Sequence, residues 1–148
     1  MTDDEGTETA AAHIVVGVDG SDSSVAALRH AARIAAAVDA PLEAVITWTA
    51  PPYVDYSPIA GWSPEADAAA VLDDAVAQAF ADAPPGGLLR TVLPGLPAAT
   101  LIAQSRDAEM LVLGSRGHGG FAGLLLGSVS AACAAHAHCP VLIVRAED

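Results

Sequence analysis

Three glycines and a serine, Gly114-x2-Gly117-x9-Gly127-Ser128, follow a short apolar run, Met110 to Leu113, and lead into a helix-like pattern that begins near Ser128. A glycine leaves its backbone N–H uncovered, and a helix start adds free N–H groups and the positive end of a dipole. Strand, glycine loop and helix in this order therefore form a cradle for an anion, and at the carboxyl end of a strand in an open α/β sheet that anion is a phosphate. Arg116 and His118 lie inside the loop, where each side chain could either add a charge-assisted contact or stand in solvent.

Other chemistries drop out by composition. All six cationic side chains are arginine, so there is no Walker A lysine, no Schiff-base lysine and no lysine general base. A formal net charge of −12 repels nucleic-acid phosphates, which argues against DNA or RNA as a partner. A single nucleotide remains compatible, with a divalent cation sharing its charge. Gly117, Gly119 and Ala122 have the spacing of a dinucleotide fingerprint but fail its context, since they open no helix and no acid follows about twenty residues on. Asp19-Gly-Ser-Asp-Ser-Ser24 shares only part of the pyrophosphate loop of adenylating enzymes, with Asp19 and Ser21 in place of its opening serine and second glycine. His136 and His138, two residues apart, do not share a helix face, so a metal pair is not expected there. No nucleophilic triad, acid/base carboxylate pair or metal cluster reaches motif strength. Cys133 and Cys139 read as buried, reduced thiols.

The elements that must hold the loop follow from periodicity. His13 to Asp19 is a β-branched run ending in a turn at Gly20-Ser21, and Ser21, Asp22 or Ser23 caps a helix with Val25, Leu28, Ala32, Ala35 and Val38 on its apolar stripe. Leu42 to Trp48 gives a second strand. Pro51 to Ser63 is a long connection, rich in proline and aromatics, with the length of a lid. Ser63-Pro64-Glu65 starts a helix with Leu72, Val76 and Phe80 inside, and Pro84-Pro85-Gly86-Gly87 stops it. Leu88 to Leu93, Ala98 to Ser105, Met110 to Leu113, Ser128 to Ala137 and Pro140 to Arg145 complete an alternation of five strands with four helices. That alternation predicts an α/β fold, an open five-stranded parallel sheet with helices on both faces. Strand order 3-2-1-4-5 would bring Asp19 beside Gly114 at the switch point.

Residues 1–12, with Asp3, Asp4, Glu5 and Glu8, read as a disordered acidic leader before a domain spanning 13–148, and lack the basic start of a secretory signal, which suggests a cytoplasmic protein. The uncharged stretch from Gly117 to Val144 has the length of a membrane span. Its serines, histidines, glycines and Pro140 speak against a lipid-facing helix.

With these residues in view, the chain from about Ile14 to Arg145 resembles the universal stress protein family, in particular its ATP-binding branch, whose signature Gly-x2-Gly-x9-Gly-(Ser/Thr) matches without a gap. Val16-Gly-Val-Asp-Gly-Ser21, Trp48 with Pro51-Pro52, and Cys139-Pro-Val-Leu-Ile-Val-Arg145 are similar to the family's first strand, second-strand end and last strand. The resemblance implies a Rossmann-like domain in which Gly17, Val18 and Asp19 hold the adenosine side and Thr47 touches adenine. It also implies that Leu113, Gly114, Ser115, Arg116, Gly117 and His118 approach ribose and phosphates, and that Gly127, Ser128 and Val129 meet the phosphates. At Gly114 and Gly117 a Cβ would intrude or forbid the needed φ. ATP, with Mg, is the implied ligand, with little or slow hydrolysis. Cyclic AMP in the same cleft and a nucleotide-independent interaction module are the alternatives. The resemblance further implies a homodimer through Val141, Leu142, Ile143 and Val144, an apolar edge strand that a second copy can pair.

Overall fold

The computed structural model describes residues 13–50, 63–117 and 126–146. The elements run β1 (His13–Gly17), α1 (Asp22–Val38), β2 (Leu42–Trp48), α2 (Pro64–Phe80) and β3 (Leu89–Pro94). Then come α3 (Pro97–Gln104), a 3-10 turn (Ser105–Asp107), β4 (Ala108–Gly114), α4 (Ser128–His136) and β5 (Val141–Val144). The acidic leader, the body of the Pro51 to Ser63 connection and His118 lie outside the described residues.

The strands form one sheet in the expected order β3-β2-β1-β4-β5, which brings the ends of β1 and β4 side by side. Every pairing is parallel, with Ile14 beside Leu42, Val16 beside Val112, Thr47 beside Leu93 and Leu113 beside Ile143. Side chains alternate between the two faces. Ile14, Val16, Leu42, Ala44, Ile46 and Val112 pack with α1 and α2 through Val25, Leu28, Ala31, Leu72 and Val76. On the opposite face Val15, Val45, Leu111 and Leu113 pack with Leu101 of α3 and Cys133 of α4. With both faces covered, the strands read as continuous apolar runs.

Helix starts are set locally. Ser21 caps α1 by accepting the Ser24 N–H at 3.3 Å, and Ser63 caps α2 by accepting the Ala66 N–H at 3.0 Å with Pro64 behind it. Two helical expectations need correction. Val38 does not join the stripe: it is 57% exposed, because the last turn of α1 has run past the sheet before Asp39 ends it at φ 58°. The stripe is carried instead by the fully buried Ala31. Helix α3 starts at Pro97, and its last turn tightens into the 3-10 turn, so β4 begins two residues before Met110. Among the described residues no helix is long and apolar enough to cross a membrane.

Candidate functional site

Helices α1 and α4 leave the neighbouring strands β1 and β4 toward opposite faces of the sheet, which opens a crevice at the carboxyl ends of those strands. A cleft of about 750 Å³ occupies it, a size typical of small-molecule sites. It straddles the strand ends, with Val45, Thr47, Leu101, Leu113 and Val129 on one side and Ile46, Trp48, Ala68 and Val71 on the other.

The loop after β1 is built around Asp19. Gly20 takes a left-handed φ of 86°, which turns the chain so that the Asp19 Oδ1 accepts the Ser21 N–H at 2.9 Å and the Ser21 hydroxyl at 2.6 Å. One oxygen of this exposed carboxylate is thus engaged in holding the start of α1, while the side chain also lines the cleft. The N–H of Val18 donates to Val45 O at 2.8 Å and extends the β1–β2 pairing to the cleft floor.

The loop after β4 is tied on both sides. Ser115 N–H donates to Val144 O at 2.7 Å, and Ser115 O accepts the Gly127 N–H at 2.7 Å and the Ser130 hydroxyl at 2.9 Å. Arg116 O accepts the Ser23 hydroxyl at 2.6 Å. The start of α4 then comes to rest directly against Arg116 and Gly117.

Packing between these loops accounts for the glycine spacing. A Cβ at Gly114 would strike the Ser23 hydroxyl and lie 2.7 Å from the Ser23 carbonyl carbon and 2.8 Å from the Ser24 nitrogen, both backbone atoms of α1. At Gly117 it would run into the Asp19 carboxylate, and at Gly127 it would lie 3.2 Å from the Arg116 Cα. None of the three has a positive φ. Of the two expected reasons for glycine at 114 and 117, the intruding Cβ holds and the special φ does not: they are small because the two loops and the first turn of α1 touch there.

Among the described residues no side chain caps the first turn of α4. Its cap residue, Gly127, makes no side-chain cap bond, Ser128 is exposed, and both line the cleft with Val129. The unpartnered N–H groups of a first helical turn and its dipole end suit an anion. Arg116, Asp19 and Asp67 also line the cleft.

The structure gathers Gly17, Val18, Asp19, Thr47, Leu113, Gly114, Arg116, Gly117, Gly127, Ser128 and Val129 around one cleft. Ser115 does not line it, because its peptide groups are spent on Val144, Gly127 and Ser130. Sequence reasoning passed over Trp48, α2's Pro64, Asp67, Ala68 and Val71, and α3's Pro97 and Leu101. A proline at each helix start was a usable signal that those ends sit near strand termini. Trp48 also carries a buried indole N–H without a hydrogen-bond partner among the described residues.

Elsewhere, both cysteines are free thiols, Cys133 buried and Cys139 half-buried, and burial pushes both thiol pKa values up. His13, Glu43 and Thr91 form a hydrogen-bonded row toward the amino ends of the strands, away from the cleft. Among the described residues no three His, Cys, Asp or Glu side chains are grouped to hold a metal.

Residues 11–145 match the model of the universal stress protein family. A universal stress protein of Mycobacterium tuberculosis is 36% identical over 145 residues, taking in 91% of this chain and 48% of the relative, so the chain spans about half the length of that protein. One from Methanocaldococcus jannaschii is 33% identical over 143 residues, covering 89% of this chain and 81% of the relative. A solved universal stress protein in complex with cAMP is similar with a TM-score of 0.65 and 33% identity, over 93% of this chain and 99% of that one. The parallel 3-2-1-4-5 sheet, the glycine loop packed against two helix starts and these similarities along most of the sequence lead to one conclusion: the chain belongs to the universal stress protein family.

Proposed function

We propose that this protein binds an adenine nucleotide, ATP with Mg, in the cleft and acts as a nucleotide-dependent sensor or regulator in the stress response, with little or slow hydrolysis. The observation that carries the reading is the first turn of α4, which no side chain among the described residues caps and which lines the cleft beside Gly117 and Arg116. A phosphate there would receive the N–H groups of Ser128 and Val129, each such helix-end contact contributing about 0.3–1 kcal/mol. Gly17, Val18, Asp19 and Thr47, at the ends of β1 and β2, stand on the nucleoside side, and Leu113, Gly114 and Ser115 carry the chain between the two. Mg would reach the site on the phosphates.

Low turnover is supported by the tasks of Asp19. Its Oδ1 is committed to Ser21, and its other oxygen packs on Gly117, so it serves as a brace rather than as a base poised over water. The carboxyl-end strand edge supports assembly as well. Strand β5 is the outer strand beside β4, and Val141, Leu142 and Ile143 stay half-buried, so a second copy pairing along it would give a homodimer. A cytoplasmic setting suits an adenine-nucleotide ligand.

The test is to identify the nucleotide released from freshly purified, denatured protein and to titrate ATP, ADP and cyclic AMP calorimetrically with and without Mg. Near-stoichiometric ATP, or tight ATP binding, supports the reading. Cyclic AMP is the second reading, favoured by the cAMP complex of the structure at 33% identity, and tighter binding of cyclic AMP than of ATP would select it. Neither ligand binding would leave a nucleotide-independent interaction module.

A further inference from the structure

The hydroxyl of Ser23 lies outside the cleft and has no place in the glycine signature, yet it grips the glycine loop twice. Ser23 is only 4% exposed, its Oγ donates to Arg116 O at 2.6 Å, and the same Oγ receives the Arg116 N–H at 3.4 Å. Ser21 Oγ, whose proton goes to Asp19 Oδ1 at 2.6 Å, also lies 3.3 Å from the same carbonyl. One side chain of α1 thus meets two successive peptide groups of a loop 93 residues away.

Peptide planarity turns this grip into an aiming device. In a trans peptide the C=O and N–H point in opposite directions. With Arg116 O drawn onto α1, the N–H of Gly117 in the same peptide group must point away from α1. The Gly117 nitrogen lies beside Gly127, 3.3 Å from where a Cβ on that residue would stand, so this N–H is held next to the first turn of α4. On the other flank Ser115 O is fixed by Gly127 N–H and Ser130 Oγ. The Arg116 to Gly117 peptide is set between two clasps before any ligand arrives.

We propose that Ser23 is a positioning residue for the phosphate end of the nucleotide, acting through Arg116 O to orient the Gly117 N–H. The inference rests on the nucleotide reading above. It requires the hydroxyl to matter for phosphate-bearing ligands and not for the nucleoside, a split that a merely structural serine would not produce.

The experiment compares calorimetric affinities for ATP and adenosine in wild type, Ser23→Ala and Ser23→Cys. Ser105→Ala serves as the control, because that hydroxyl is equally buried and donates to Ile102 O at 2.6 Å far from the loop. Removing the 2.6 Å donor, so that only the more distant Ser21 Oγ at 3.3 Å stays beside that carbonyl, should weaken ATP about tenfold in Ser23→Ala while adenosine stays within about twofold. Ser23→Cys, of nearly the same shape with a weaker donor, should fall between, and it carries the test should the alanine variant not fold. Ser105→Ala should lose stability with an unchanged ATP-to-adenosine ratio. Unaltered ATP affinity in the folded variants, or an equal loss for ATP and adenosine, overturns the inference alone. No binding of either ligand by the wild type overturns the nucleotide reading together with it.

Discussion

Replacing Gly114 by alanine should destabilise the protein in the complete absence of ligand. The added Cβ would sit 2.7 Å and 2.8 Å from backbone atoms of Ser23 and Ser24, in a helix turn held by the Ser21 cap and by Ser24 Oγ on Ser21 O at 3.0 Å. Neither neighbour is a flexible side-chain end, so α1 or β4 must shift. Overpacking of this kind costs about 1–3 kcal/mol, and for a chain of this length about 2–4 °C of Tm accompanies each kcal/mol. The expected fall is therefore roughly 2–12 °C in a nucleotide-free preparation followed by circular dichroism and calorimetry. Gly86→Ala is the internal control, since its Cβ meets nothing within 4 Å, and it should stay within about 0.5 kcal/mol of wild type. If nucleotide-free Gly114→Ala melts with the wild type and loses only ligand affinity, the packing account of the glycine spacing is wrong. That result would return Gly114 to a ligand-facing role.

Ser128→Asp places a carboxylate at the first turn of α4, where the dipole tolerates it but a phosphate would not. ATP binding by calorimetry should weaken at least about tenfold with Tm unchanged or slightly raised, and retained affinity would move the phosphates elsewhere. Because burial raises the Cys133 and Cys139 pKa values above the ordinary 9.0, the folded chain keeps thiol protons that the unfolded chain gives up. That stabilisation is fully present below pH 9.0 and is lost as pH rises from there through the folded-state values, so Tm should decline more steeply above 9.0 in wild type than in Cys133→Ala. Parallel slopes would contradict it. Val141→Lys on the outer strand should convert a dimer to a monomer in light scattering, whereas an unchanged dimeric mass would place the interface away from β5. Leu72→Ala, at a side chain 1% exposed between α2 and the sheet, should cost about 2–5 kcal/mol in chemical denaturation, and a smaller loss would mean that the site collapses around the cavity.

Elements with strong local signals were readable one at a time. Ser63-Pro64 carries a cap and a first-turn proline in adjacent residues, so the start of α2 was legible, as were the apolar strands that both sheet faces bury. Val38 misled because periodicity says which side of a helix is apolar but not where the sheet beneath it stops. The beginning of β4 was missed because the 3-10 turn at Ser105 is fixed by a distant partner, the His138 N–H donating to Ser105 Oγ at 2.8 Å.

The candidate site divides along the same line. Gly114, Gly117, Gly127 and Ser128 stand close enough in sequence for their spacing to declare a loop between a strand and a helix, and the βαβ alternation fixes the class of fold, because only crossovers of that kind satisfy parallel strands. Sequence by itself thus determined the alternation of strands and helices, and pointed to the glycine stretch after β4 as a candidate anion site. Only the tertiary structure decided why the glycines are glycines, which wall α2 and α3 supply, and that Ser23 reaches across 93 residues to hold Arg116. The physical reason is that caps, turns and periodicity act over a few residues along the chain. A steric limit or a hydrogen bond between α1 and the loop after β4 exists only once the sheet has brought them into contact.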